Sequence, residues 1–202
     1  MAALTDIDIC SQALILLGEK PISSFEDGTD ASQICSALYP QFKNMLLTVH
    51  KWRVTMSKRQ LSRLSAAPIN EWSYAYQLPS DLFSLKAVLN SLDTSPAEVT
   101  DFEIFGRELH TDEGTIVLEY QIETDEADWP PYLVRLAVYG FAAEIAPSVT
   151  DQVSAAEVWE FKAWGTPGER MQGGYFAVAK SIDSQGSPPQ VIDNYTLVEV
   201  RN

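Results

Sequence analysis

The residues best able to do chemistry in this chain are few and widely spaced. There are two histidines, His50 and His110, and two cysteines, Cys10 and Cys35. Metal sites built from these residue types need closely spaced ligand pairs, which this sequence lacks. We therefore interpret the histidines as structural or surface residues and the cysteines as buried free thiols on two helices. A disulfide is the alternative, but nothing in the sequence indicates the oxidising compartment in which disulfides persist.

The segment 165–174 is rich in glycine. It lacks the lysine and hydroxyl residue of a phosphate-binding loop and does not follow a predicted strand, so we interpret it as a turn or hinge. The chain also contains no nucleophile elbow, zinc-protease helix, Walker sequence or dinucleotide-binding fingerprint. The sequence predicts no catalytic, cofactor-binding or metal site.

The charged residues are unevenly distributed. Twelve of the 28 acidic residues lie between Asp93 and Asp128, where Arg107 is the only basic residue. A solvated face is one interpretation of this acidic stretch, and a hydrolase that uses paired carboxylates is another. Five of the fourteen basic residues fall within thirteen positions: Lys51, Arg53, Lys58, Arg59 and Arg63. This basic segment is either a solvated face or a contact with an acidic neighbour.

The net charge of −14 argues against a general nucleic-acid binder, which would carry a basic face. The sequence has no uninterrupted apolar run of the roughly 18 residues that indicate a membrane span. The N-terminus does not resemble a signal peptide, so we expect synthesis in a cytoplasm.

Two helices are predicted before a stretch of strands. The first covers residues 5–17, is capped by Thr5 and ends at Gly18. The second covers residues 30–50, and Pro40 within it predicts a kink or a break. The expected inner face of the first helix is Ile9, Ala13, Leu16 and Leu17. The expected inner face of the second is Ile34, Ala37, Leu38, Phe42, Met45, Leu46 and Val49.

The most regular helical pattern covers residues 128–147. Asp128 is the expected cap, two prolines fit the first turn, and Pro147 is the expected end. The apolar positions recur at helical spacing: Leu133, Leu136, Ala137, Gly140, Phe141 and Ile145. A second helical stretch, from a capping box at Ser154 and Glu157 to about residue 183, would pack antiparallel to the first and be interrupted at the glycine-rich turn.

The region between the helices predicts strands. Segments 71–78 and 82–92 are candidate strands, and segments 102–105, 108–111 and 115–122 predict an antiparallel meander. The order α-α, β, α-α predicts an α+β fold: about four helices in a bundle with an inserted antiparallel β-lobe. We predict one domain over residues 1–186, with helices at about 5–50 and 129–185 and the β-lobe at about 52–123, followed by a C-terminal arm at 187–202.

Several motifs, taken in order, resemble one protein family. They are segments 13–27 and 76–81, the Tyr120…Asp128-Trp-Pro-Pro131 approach to a helix that ends in Ala142-Ala-Glu-Ile-Ala146, and segment 175–183. Together they resemble phage head–tail adaptors of the tail tubular protein A type over residues 5–183. The interruption at residues 165–174 departs from the family's uninterrupted last helix, and the segment after Pro189 matches nothing in it.

The resemblance implies a non-enzymatic virion protein without cofactors. Members form a ring of about a dozen copies, so a dodecamer is expected, beneath the capsid portal. Their partners are other copies, the portal and the tail nozzle or tail tube, and DNA passes through the ring without specific binding. A hydrolase with an acidic site in the β-lobe and a bacterial protein-binding module are the alternatives.

The C-terminal arm is unusually apolar for a solvated tail. It follows Ser187-Pro188-Pro189, which cannot continue a helix. Together with the basic segment, its apolar residues are the candidate contacts with another subunit or the portal: Val191, Ile192, Tyr195, Leu197 and Val198. Folding back onto the β-lobe as an edge strand is the alternative.

Overall fold

The computed structural model describes residues 4–93, 96–150 and 153–186, which form a helical part and a β-lobe. The helices are α1 (Asp6–Leu16), α2 (Asp30–Thr48), α3 (Pro131–Thr150), α4 (Val153–Trp164) and α5 (Gly174–Ser184). The strands are β1 (Met56–Gln60), β2 (Tyr74–Gln77), β3 (Ser84–Leu89), β4 (Glu103–Phe105), β5 (Glu108–Thr111) and β6 (Val117–Gln121). The predicted α+β class is confirmed, with five helices rather than about four.

The predicted cap and end of α1 are both confirmed. The Thr5 hydroxyl accepts a hydrogen bond from the Asp8 N–H at 3.2 Å, and the Asp8 carboxylate accepts one from the Thr5 N–H at 2.8 Å. Gly18 follows the helix at φ +83°, a conformation that glycine adopts without strain. The predicted inner position of Leu16 is wrong: this side chain is 36% exposed and borders a groove.

Helix α2 begins after its Thr29 cap and continues through Pro40. A kink or a break was predicted at Pro40, and the break did not occur. This residue lies on the exposed face, where water can satisfy the carbonyl that loses its helical partner. Phe42 and Leu46 are buried as predicted, but Ala37 is exposed because the buried face passes through Tyr39 instead.

Helix α3 begins later and ends later than predicted. Asp128 does not cap it, because Asp128 ends a separate 3₁₀ turn (Glu126–Asp128) and the helix starts at Pro131. The predicted end at Pro147 is also wrong, since the helix continues to Thr150. Pro147 is exposed in the last turn, so the helix loses one hydrogen bond where water can replace it.

Helix α3 is the central element of the helical part and packs against each of the other four helices. All six residues of its predicted apolar stripe are buried. A Cβ added at Gly140 would lie 3.0 Å from ring atoms of both Phe42 and Trp164, so the absence of a side chain there permits close packing. By length and composition α3 could span a bilayer, but half of its most apolar window is buried inside the protein, as in a core helix.

Helices α3 and α4 pack antiparallel, because Trp164 at the end of α4 contacts the middle of α3 at Gly140. The predicted capping box at Ser154 is wrong: α4 already begins at Val153, so Ser154 lies inside the helix. The predicted interruption after α4 is confirmed. Gly165, at φ +85°, lies so close to the backbone of Gly173 that a Cβ there would be 2.7 Å from its Cα.

The β-lobe contains two three-stranded antiparallel sheets, ordered β1-β6-β3 and β2-β5-β4. The predicted meander is therefore half wrong: β4 and β5 form a hairpin, but β6 leaves β5 and pairs with β1 and β3. Strand β6 is buried on both faces, which favours a central position between two neighbours. Apolar side chains from both sheets form the core of the lobe, including Tyr76, Leu109, Leu118 and Tyr120.

A polar junction joins the lobe to the end of α2. The Gln121 side-chain amide donates hydrogen bonds to the carbonyl of Leu47 at 2.9 Å and to the hydroxyl of Thr55 at 2.8 Å. Trp52 is fully buried beside it and donates its indole N–H to the Leu46 carbonyl at 2.8 Å. Trp52 is therefore a core residue at this junction.

Candidate interface surfaces

The two histidines lie in different parts of the fold. His50 follows α2, whereas His110 lies on β5 between Asn70 and Glu108. Among the described residues, no group of three or more histidine, cysteine, aspartate or glutamate side chains could hold a metal ion. Both cysteines are buried and free.

Asp183 is the most heavily used buried carboxylate. It is 4% exposed and lies on α5. It accepts hydrogen bonds from the Tyr132 hydroxyl at 2.5 Å and from the Arg53 N–H at 3.3 Å to each oxygen, and His50 Nε2 lies 3.7 Å away. Burial lowers the pKa of His50, against the opposing effect of Asp183. This arrangement fastens α3, α5 and the chain between α2 and β1 to one another.

A small polar pocket of about 350 Å³ opens beside this carboxylate. The first two residues of the basic segment, Lys51 and Arg53, line it together with Lys86. Lys51 is bound within the chain: its ammonium group donates to the Ser84 hydroxyl, to the Leu85 carbonyl at 3.1 Å and to Gln121 Oε1 at 3.2 Å. Partial burial lowers its pKa. Lys51 therefore has a structural role at the junction in the single chain.

The rest of the basic segment lies on β1 and just after it. Lys58 is 3.4 Å from Glu119 on the paired strand β6, and Arg59 is 3.7 Å from Asp81. Arg63 stacks on the Tyr74 ring at 3.9 Å. The side chains of Lys58 and Arg59 remain 39% and 55% exposed, so both remain accessible to a second chain. Contact with another copy or a portal stays a prediction.

The acidic stretch does not form a single site. Glu119 is shared between Lys58 and Lys86, whereas Glu126 is 8% exposed and belongs to the helical part. Its carboxylate accepts a hydrogen bond from Tyr39 at 2.9 Å and pairs with Lys43 at 3.1 Å. The carboxylates of this stretch that have these close partners therefore serve as structural links.

An apolar groove with a volume of about 570 Å³ lies between α1 and α3. We call it the α1–α3 groove. Ile15 and Leu16 lie on its α1 side and are 56% and 36% exposed. The α3 side and the segment before it contribute Trp129, Pro131, Val134, Arg135, Val138 and Tyr139. Exposed apolar side chains around a groove make it a candidate contact surface.

The chain was compared with protein-family models and with curated proteins. It matches no protein-family model, and no curated protein matches it significantly.

The sequence prediction missed the groove because Leu16 was assigned to the core. The available signal was the pair of adjacent apolar residues Ile15 and Leu16, since neighbouring helical positions cannot both face a narrow core. The C-terminal candidates Val191, Ile192, Tyr195, Leu197 and Val198 lie outside the described residues.

Proposed function

We propose that this chain is a structural head-to-tail adaptor of a bacteriophage virion. Copies form a ring beneath the portal, connect the capsid to the tail nozzle or tail tube, and surround the channel through which DNA passes. The role is non-enzymatic and needs no cofactor. The chain is assembled in the cytoplasm of the host bacterium.

The observation that carries this proposal concerns the residues of the motifs that resemble the family: they either line an apolar groove or connect elements of the fold. Trp129 and Pro131, from the approach to α3, line the α1–α3 groove. Asp183, from the last motif, fastens the end of α5 to Tyr132 and to the backbone of Arg53. Motif residues that hold elements together, or that lie at an apolar surface, favour an assembling scaffold over a catalyst.

The charge distribution supports a contact between unlike faces of neighbouring copies. Lys58 and Arg59 have partners within the chain but remain 39% and 55% exposed, and a closed ring joins one face of a subunit to a different face of the next. Exposed ion pairs contribute only about 0–1 kcal/mol each, so they would set register and encounter rate more than affinity. We expect the Lys58→Glu and Arg59→Glu double variant to weaken assembly, most visibly at low salt. Unchanged assembly at both low and high salt would contradict this contact.

The same charge argument applies to the channel. Because phosphate contacts dominate DNA affinity, a net charge of −14 per chain, repeated around a ring, makes repulsion the default. We expect no micromolar binding to duplex DNA at physiological salt, measured by fluorescence anisotropy. Such binding would contradict a channel that DNA passes without being held.

The arm at residues 187–202 is the proposed docking element for the portal, by addition of a strand along an exposed sheet edge. Truncation after Gly186 tests this. A truncated chain that joins the portal with undiminished affinity would refute the docking role. A truncated chain whose isolated form loses thermal stability would favour folding back onto the β-lobe instead.

The decisive experiment mixes the purified chain with the portal protein encoded in the same genome. Electron microscopy and mass measurement should show a ring of the chain stacked on the portal. A matched sample without portal identifies any assembly that the chain makes alone. A chain that leaves the portal unaltered in mass and image would overturn the proposed function.

A further inference from the structure

The α1–α3 groove ends at Tyr139, beside α5. Tyr139, at one end of the groove, packs against the Tyr175 ring with centroids 5.7 Å apart. Val178 and Ile182 follow Tyr175 at helical spacing and are 48% and 39% exposed. The groove itself has apolar residues on both its α1 side and its α3 side, which suits an inserted helix.

A second exposed apolar surface lies on α4. Its inner side buries Ala163 and Trp164 against α3, whereas Val158 and Phe161 are 50% and 59% exposed. These two residues are three positions apart, so they share one face of the helix. We call them the α4 ridge. On a helical projection, the exposed Glu157 lies on one side of the ridge and the exposed Lys162 on the other.

The charges beside the groove complement those beside the ridge. Arg135 is exposed on the α3 side of the groove. On the α1 side, Asp8 is exposed one helical turn before the groove residue Gln12. A helix laid along the groove with the ridge inward can place Glu157 toward Arg135 and Lys162 toward Asp8. The reverse orientation would oppose like charges, so the charges select one direction.

We propose that the α1–α3 groove of one copy receives the α4 ridge of the next copy. The inference deepens the proposed ring and rests on it for its biological setting. The ridge points away from α3, so a chain cannot insert its own ridge into its own groove. Each copy then has one groove and one ridge free for two different neighbours. Such a head-to-tail contact generates a ring when its rotation closes.

Two single variants test the pairing. Ile15→Asp places a charge in the groove, and Phe161→Asp places one on the ridge; both side chains are more than half exposed, so the fold should tolerate both changes. Ile69→Asp is the matched control, because Ile69 is a fully exposed apolar residue of the β-lobe outside both surfaces. Circular dichroism and thermal melting verify that each variant is folded.

Sedimentation velocity at the highest soluble concentration is the measurement. The wild type and Ile69→Asp should self-associate, whereas each interface variant alone should associate at least about tenfold more weakly. An equimolar mixture of the two variants should form a dimer that grows no further, because one intact groove meets one intact ridge and both outer faces are blocked. No other pairing of surfaces gives this rescue.

A mixture that stays monomeric, variants that associate like the wild type, or a wild type that does not associate would each overturn the pairing. These outcomes differ from a failure of the proposed function. If the wild type stacks on the portal and both variants still join the portal ring, the adaptor role stands and the groove–ridge interface is refuted. A chain that self-associates through groove and ridge but ignores the portal would lose the adaptor role and keep the interface.

Discussion

The buried pair between Lys43 and Glu126 gives the sharpest prediction for stability. Glu126 precedes α3, and its carboxylate is bound by Tyr39 and Lys43 of α2 at 2.9 and 3.1 Å. The Lys43 side chain is only 13% exposed, and the Glu126 side chain 10%. Replacing Glu126 by alanine would leave a buried ammonium and a buried hydroxyl without their shared acceptor.

The expected cost follows from these contacts. Removing one partner of a buried ion pair costs about 3–5 kcal/mol. Lys43 keeps a second carboxylate, Glu123, at 3.6 Å, but that side chain is 61% exposed, so it compensates only in part. We therefore expect Glu126→Ala to lower the free energy of unfolding by about 3 kcal/mol. Glu123→Ala is the matched control on the same lysine and should cost less than about 1 kcal/mol.

Urea denaturation followed by tryptophan fluorescence measures both values. The Lys43→Met and Glu126→Gln double variant should be more stable than Glu126→Ala, because it removes the buried charge while the glutamine can still accept the Tyr39 hydroxyl. If Glu126→Ala costs no more than Glu123→Ala, the pair is not the structural link described here.

Three further predictions concern packing, pH and thiol reactivity. Gly140→Ala should lower the free energy of unfolding by up to about 2 kcal/mol in thermal melts, because an overpacking cost of about 1–3 kcal/mol exceeds a gain in helix propensity of about 1 kcal/mol. Gly114→Ala is the control and should be nearly neutral, because no atom lies within 4 Å of the added Cβ. Burial lowers the pKa of His50, so below about pH 6.5 the unfolded chain binds more protons than the folded chain. The free energy of unfolding should therefore fall as the pH drops below about 6.5. His50→Gln should flatten this fall, and an unflattened profile would contradict the assignment. The hydrogen bond between the two thiols raises the pKa of Cys10 and lowers that of Cys35. Both side chains are fully buried, so both thiols should resist a thiol reagent until denaturant is added; rapid native-state labelling would contradict their burial.

The elements that the sequence predicted well are those with local signals. The Thr5 cap, the end at Gly18 and the apolar stripe of α3 each depend on residues a few positions apart, so a single sequence contains them. The break considered at Pro40 and the helix end predicted at Pro147 are wrong, because the cost of a helical proline depends on whether the freed carbonyl faces water, which is a tertiary property.

The strand pairing could not be read from the pattern. Alternation predicted β6, but it does not identify the neighbours of a strand. The determining interactions are distant: Gln121 bonds to the end of α2, and β6 pairs with β1 about sixty residues earlier. The candidate surfaces show the same limit. Composition identified the basic segment, but its partners Glu119 and Asp81 become apparent only in the folded chain.

The carboxylate of Asp183 has a consequence for the order of synthesis. It accepts the backbone N–H of Arg53, 130 positions earlier. During translation the Arg53 N–H can therefore donate to Asp183 only after almost the whole helical part has been synthesised. We expect the β-lobe to form first on the ribosome, since its strands are complete by Gln121, and the attachment of α5 to close the fold last. Until α5 attaches, the part of α3 that α5 covers stays exposed in the nascent chain.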